Sequence, residues 1–401
     1  MRSTRRRWIT QAAAGAAAAS VVRPAAVAAT RGAPPLPPPL PAEVFRERQA
    51  KLKAAARANG LDAVLVTPST NLAYIANLTM GRSERLTALL LFADGPSVVV
   101  TPYFEEGVVR REVATDDLKT WTEEQDPIPL VVKSLGKSRR IGVEGSTDYA
   151  TVARLEAAAE GAKLEDATPL FDGMRTVKSD AEMALIRDAG NRTVTAIEAT
   201  HKRLRRGMTE REVSGILEEE FRKLLVRGGG LVQFGPSAAL PHGSPGNREL
   251  ARGDVVLIDA GCRVRGYTAD VTRTVSFGPP PDEVRKVYAA VDRAQIAGIE
   301  ALKAGATGEA VDRAARKVIE DAGYGKYFTH RLGHGVGMDG HEHPYLVQGN
   351  TKPLVAGNTV TVEPGIYLPD KFGVRIEDDY GVRQGNPVSL SVRPWELAVV
   401  G

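Results

Sequence analysis

Thr329 to Pro344 reads THRLGHGVGMDGHEHP and holds four of the chain's six histidines, His330, His334, His341 and His343, with four glycines between them. Imidazoles ligate metal ions or move protons near neutral pH. Glycine lets a backbone turn tightly enough to aim several of them at one point. Carboxylates lie on either side, in strand-like surroundings. VVLIDAGCRVRGYTADVTRT, residues 255–274, carries Asp259 and Asp270. NTVTVEPGIYL carries Glu363, and FGVRIEDDYGV carries Glu377. Arg375 falls two residues before Glu377, on the same face of a strand.

The segment 255–274 reads as two β-branched runs around a turn. A turn centred between Val264 and Arg265, with Gly266 beside it to permit positive φ, sets Asp259 opposite Asp270. Directly opposed residues of an antiparallel pair have Cβ atoms about 5 Å apart. Two carboxylates at about 4 Å repel by about 4 kcal/mol at an effective dielectric of 20. Either one holds a proton or a cation sits between them. One imidazole and four carboxylates carry a charge that two divalent cations balance. Five ligands are few for two separate ions, so some carboxylates should bridge, which is the arrangement of two-metal hydrolytic sites. An oxygen-rich set with one nitrogen favours Mn²⁺ or a similar hard ion over a thiolate-type zinc site.

The elements that must hold these groups are legible around them. From Glu43 the chain alternates helix and strand patterns: ERQAKLKAAARANG as an amphipathic helix closed by Gly60, LDAVLVT as a buried strand, LTALLLFAD and PSVVVTP as a strand pair, RRIGVEG as a strand and TVARLEAAAEG as a helix. This α/β domain spans residues 43–171 and contains no catalytic constellation. A capping box at Ser179 and Glu182 opens a long helix in the second domain, residues 172–401. Further helices are expected at 209–227, 282–303 and 307–322.

With these motifs in hand, GPSAALPHGSPGNREL, LIDAGCRVRGYTADVTRT, HRLGHGVGMDGHEHP, VEPGIY and VRIEDD, the chain resembles the pita-bread metallopeptidases. That family comprises Xaa-Pro aminopeptidases, prolidases and methionine aminopeptidases, with creatinase as a relative, and the resemblance covers about residues 43–401. It implies an α+β fold, a pita-bread catalytic domain after a smaller creatinase-type α/β domain. It implies metal ligands at Asp259, Asp270, His334, Glu363 and Glu377, for two divalent ions, Mn²⁺ foremost, with Co²⁺, Zn²⁺ or Fe²⁺ as alternatives. It implies that His242, His330 and His341 surround the metals, bind the peptide and shuttle protons. By the same resemblance Glu363 takes the proton of the attacking water, Arg375 fixes the acidic side, and Tyr267 and Thr272 stand behind the aspartates. The implied substrate is a peptide with proline at its second position. Aminopeptidase and dipeptidase use the same ligands, and the aminopeptidase is preferred here because an exported enzyme meets oligopeptides. A creatinase-like hydrolase or a decayed binding module would lack ligands, and none is missing. Relatives of this kind are mostly dimers or tetramers, so a homo-oligomer is expected. His343 is read as structural beside Pro344, and His201, in a basic run, as a solvated helix face.

Other chemistry finds no support. Gly335-Val-Gly337-Met-Asp-Gly340 matches the spacing of a dinucleotide-binding turn, but neither follows a convincing strand nor opens a helix. The formal charge of +4 comes from the N-terminus. Thr4-Arg5-Arg6-Arg7-Trp8-Ile9, the Ala-rich run Ala12 to Val22 and the small residues Ala26-Val27-Ala28 read as a twin-arginine signal over residues 1–28. Its removal takes five arginines and no acid from totals of 53 and 49, leaving a net charge of −1, so no nucleic-acid partner is expected. A periplasmic or secreted enzyme follows, with no membrane insertion once the signal is cleaved. Residues 29–42, rich in proline, read as a linker. Cys262 is the only cysteine, so no internal disulfide can form.

Overall fold

The structure, a computed structural model, describes residues 33–401 except Ala114 and Trp395. The expected signal peptide lies outside the described residues. Pro35–Gly401 forms one compact unit. Among the described residues no helix is long and apolar enough to cross a membrane.

The N-terminal layer is a six-stranded sheet flanked by helices. Its strands are β1 (Ala63–Val66), β2 (Ala88–Phe92), β3 (Val98–Pro102), β4 (Asp117–Trp121), β5 (Arg140–Val143) and β6 (Lys163–Asp166), in the spatial order β4-β3-β2-β1-β5-β6. The helices are α1 (Ala42–Ala58), α2 (Thr70–Ala76), α3 (Glu106–Glu112), α4 (Pro127–Leu135), α5 (Tyr149–Ala158) and α6 (Thr168–Arg175). β1 and β3 are buried along their whole length, as expected of strands covered on both faces.

Beyond α6 the expected capping box is present. Ser179 Oγ accepts from the Glu182 N–H, and the Glu182 carboxylate accepts from the Ser179 N–H at 2.8 Å, opening α7 (Asp180–Arg203). A second box, Thr209 with Glu212, opens α8 (Glu210–Lys223). The expected helices downstream are α9 (Asp282–Ala301) and α10 (Gly308–Asp321). They cover two curved sheets. One runs β18 (Val399–Val400), β10 (Val271–Phe277), β8 (Val255–Val264), β7 (Gly228–Phe234), with β9 (Tyr267–Thr268) also on β8. The other runs β12 (Glu342–Leu346), β11 (Gly333–Gly335), β13 (Thr359–Val362), β16 (Asp378–Gly381), β17 (Val388–Ser389), and β14 (Gly365–Leu368) pairs separately with β15 (Phe372–Arg375). The architecture is α+β.

Three readings are corrected here. The hairpin turns one residue later than expected, at Arg265 and Gly266, both with positive φ (52° and 89°), as a two-residue primed turn requires. Thr272, not Asp270, is therefore the partner of Asp259 across the ladder. The shift is by two residues, so both aspartates keep the same face. His201 is not on a solvated face. It continues the inward line of Thr193 and Ile197 on α7, is 9% exposed, and leaves its Nε2 without a partner. The proline-rich stretch is also more than a spacer. Leu36 and Leu40 pack on the core under α7 and β8, while the Pro35 and Pro37 carbonyls accept from Arg192 and Arg265. His343 stacks on Tyr345, with centroids 4.7 Å apart, and its side chain is about half exposed.

Candidate metal centre

The two curved sheets converge on one cavity of about 430 Å³. It is lined by Asp259, Asp270, His334, Glu363, Glu377, His242, His330, His341 and Arg375, together with Pro241 and Arg331. Every residue singled out from sequence as ligand or catalytic thus faces a common space.

Asp259 is on β8, and Asp270 stands in the break between β9 and β10. There its N–H leaves the ladder to donate to the Asp379 carboxylate at 3.0 Å. His334 sits in the middle of β11, its backbone N–H on Thr361 Oγ1. Glu363 follows β13, and Glu377 lies between β15 and β16. Two donor triads within 4.8 Å emerge: Asp259, Asp270 and Glu377, and His334, Glu363 and Glu377. Together they contain the five residues read as ligands, and Glu377 belongs to both. A third triad, Asp270, His334 and His341, brings His341 closer to the ligands than the sequence reading had it.

The electrostatics fit a cation. Burial, with Asp259, Asp379 and Glu363 nearby, drives the Asp270 carboxyl well above its usual range. Burial, with Asp270 and Glu363, does the same to Glu377. Burial would also raise Glu363, but in the metal-free chain a protonated His334 donating to it, with His330 nearby, brings it down to about 2. A carbonyl can only accept, so His334 Nδ1, 3.1 Å from the Gly335 oxygen, carries the proton of the neutral ring. Its Nε2 then points a lone pair at Glu363 (3.2 Å) and Asp270 (3.8 Å). Three acceptors facing one another need a proton or a cation between them. The fixed tautomer, set by a carbonyl behind the ring, is that of metal-ligating histidines.

Arg375 braces the acidic wall. Its guanidinium is buried and donates to Asp259 Oδ2 (2.5 Å), to Thr272 Oγ1 (3.1 Å) and to Tyr367 Oη (2.8 Å). Thr272 Oγ1 in turn donates to Glu377 at 2.5 Å. Tyr267, expected behind the aspartates, instead donates to Glu182 at the start of α7. His330 Nδ1 faces the Arg331 carbonyl at 2.7 Å, which leaves Nε2 to accept from Tyr367 Oη at 2.9 Å. Both of its nitrogens are thus engaged within the protein, and burial lowers its pKa. His341 is more open. Its Nδ1 accepts from Arg331 at 3.2 Å, so Nε2 carries the proton, and its ring lies 3.9 Å from that of His334. His242 is exposed on a loop held by Gln233, whose amide donates to the Ser237 and Leu240 carbonyls.

Four contributors were not read from the sequence. Tyr367 and Thr361 follow the strand alternation around Glu363, a signal that was available. Asp379 is masked by the pair Asp378-Asp379, and Arg331 by the dense histidines around it.

A buried, carboxylate-rich centre on this α+β frame has the donor set of a site for hard divalent ions. The chain belongs to metallopeptidase family M24, whose profile matches residues 184–384; residues 48–177 match the Creatinase/Prolidase N-terminal domain. It is a metallopeptidase with the pita-bread fold. Among its relatives is a probable dipeptidase, PepE, of Mycobacterium tuberculosis, 37% identical over 327 residues, which cover 78% of this chain and 85% of that one. Two solved structures align along most of the chain. The Xaa-Pro dipeptidase from Bacillus anthracis has a TM-score of 0.83 at 30% identity, covering 89% of this chain and 100% of the other. The X-Pro aminopeptidase from Thermotoga maritima has 0.78 at 32%, covering 86% and 99%.

Proposed function

We propose that the chain is a dinuclear Xaa-Pro dipeptidase, with Asp259, Asp270, His334, Glu363 and Glu377 holding two Mn²⁺ or similarly hard ions. Bound there, the ions would polarise the scissile carbonyl and bring the pKa of a water near neutrality. Glu363, aimed into the cavity, accepts the proton of that water. His341 donates a hydrogen bond from its Nε2–H to the departing prolyl nitrogen, which takes up the proton Glu363 removed from the water, with His242 beside the same cavity. The bond before proline lacks an N–H, so a site that binds its substrate as an added strand loses a hydrogen bond there. A site that grips the carbonyl and the chain ends does not depend on that bond. Replacing Glu363 with glutamine should lower kcat by at least ~10²-fold in protein loaded with saturating metal; full activity with both ions bound would remove Glu363 from this role.

Arg331 carries the choice of dipeptide over longer peptide. It lines the cavity, stacks on Tyr345 at 4.4 Å and donates to His341. It pairs with no carboxylate among the described residues. The free carboxylate of an Xaa-Pro dipeptide supplies that partner in a geometry guanidinium groups favour, whereas a longer peptide offers an amide. This reading replaces the aminopeptidase preferred from sequence, and the names of the PepE and Bacillus relatives support it. The Thermotoga relative's name keeps the aminopeptidase as the second reading. Arg331→Ala should raise KM for Xaa-Pro about 10-fold or more with kcat little changed, and leave KM for the Xaa-Pro amide unaltered. Equal effects on both substrates, or a wild type that cuts Xaa-Pro-Yaa and not Xaa-Pro, would overturn the dipeptidase reading.

A further inference from the structure

Asp339, on the loop between β11 and β12, and Glu342, the first residue of β12, flank His341, yet neither lines the cavity. Their partners come from the N-terminal layer and the link that leaves it. Arg175, the last residue of α6, donates to Asp339 Oδ2 at 2.5 Å and to Glu342 Oε2 at 2.6 Å. Lys178 pairs with Glu342 Oε1, and Thr70 Oγ1 at the start of α2 donates to Asp339 Oδ1 at 2.6 Å. Arg175 also donates to Asn71, which donates to the buried Glu144.

Three of the four side chains are shielded from solvent: Lys178 is 2% exposed and Arg175 and Glu342 are 10%, while Asp339, at 38%, stands at the rim. Two cations and two anions cancel, and in a buried setting each charge depends on the others remaining in place. The loop backbone packs directly on them: a Cβ at Gly337 would lie 2.5 Å from Glu342 Oε1 and 2.9 Å from Lys178 Cε. Glu342 is also the ladder partner of Gly335. The group therefore fixes the residue after His341 and, across the ladder, the residue after His334.

We propose that Arg175, Lys178, Asp339 and Glu342 are positioning residues, a clamp through which the N-terminal layer holds His341 over the cavity. The inference rests on the reading of His341 as donor to the leaving nitrogen. A clamp that only joined the two layers would stabilise the fold without acting through His341, and the two cases separate experimentally.

The test combines Glu342→Gln and Thr70→Val with His341→Ala in double-mutant cycles on the metal-loaded enzyme, and records imidazole ¹H–¹⁵N spectra of the metal-free chain. Loss of a signal in His341→Ala assigns His341. Glu342→Gln should lower kcat about 10- to 100-fold, with KM and metal content nearly constant, and Thr70→Val several-fold. In the His341→Ala background either change should cost less than about twofold. The His341 signal should broaden or shift in both variants while that of the distant, buried His201 stays in place. Equal losses in both backgrounds alongside a parallel fall in Tm, or unchanged kcat with an unmoved His341 signal, would overturn the clamp. Should Glu342→Gln fail to fold, Thr70→Val, which removes one hydrogen bond, decides alone. Should the wild type cut no Xaa-Pro substrate, the proposed function fails while the spectra still decide the clamp.

Discussion

Asp270 and Glu377 hold protons in the metal-free chain well above the ordinary carboxylate range of about 4. Metal binding must displace those protons, so affinity rises with pH. The folded chain binds these protons more tightly than the unfolded chain does, so their contribution to stability fades as pH rises through the raised values. Added metal then replaces the lost protons. The gain in Tm on adding Mn²⁺ to chelator-treated protein should be several degrees larger at pH 8 than at pH 6, as calorimetry would read it; an equal or smaller gain at pH 8 would contradict the assignment. His201 works in the opposite sense. Burial and Arg273 bring it down to about 3 from an ordinary value near 6.5, so its stabilising share is full above 6.5 and is lost as pH falls towards 3. The five ligand candidates were legible in the sequence because each sits at a fixed step from a strand end or glycine turn. His201 was misread because basic neighbours say nothing about which side of a helix a residue faces.

At the scale of elements, the site depends on β11 lying close to β13. A Cβ at Gly333 would stand 2.1 Å from the Thr361 carbonyl, a backbone atom that cannot swing aside. Gly333→Ala should therefore push the strand bearing His334 off its neighbour, costing on the order of 2 kcal/mol or more and weakening metal binding with it. Thermal unfolding with metal analysis checks this, and an alanine variant of wild-type stability and metal content would refute it. Helices were read well because capping boxes and periodicity mark their starts. The turn at Arg265-Gly266 slipped because arginine gives no warning of positive φ. Its consequence was small, since a two-residue slip leaves faces unchanged. β7 was missed because its three leading glycines carry no strand signal.

Across the whole molecule, the sequence located the chemistry but not the contacts that join distant segments. Arg175 and Lys178 lie more than 160 residues from Glu342, a separation no local pattern encodes. Leu36 and Leu40 in a proline-rich stretch likewise gave no sign that the segment packs on the core. The proposed activity requires that five side chains on the two sheets hold two metal ions that act on Xaa-Pro. The most direct test removes metal from residues 29–401 with a chelator, restores Mn²⁺ stepwise, and follows free Xaa released from an Xaa-Pro dipeptide by mass spectrometry. Activity should vanish on removal and return in full as the second equivalent per chain binds. Cleavage that survives metal removal, or a chain that takes up no metal, would contradict it.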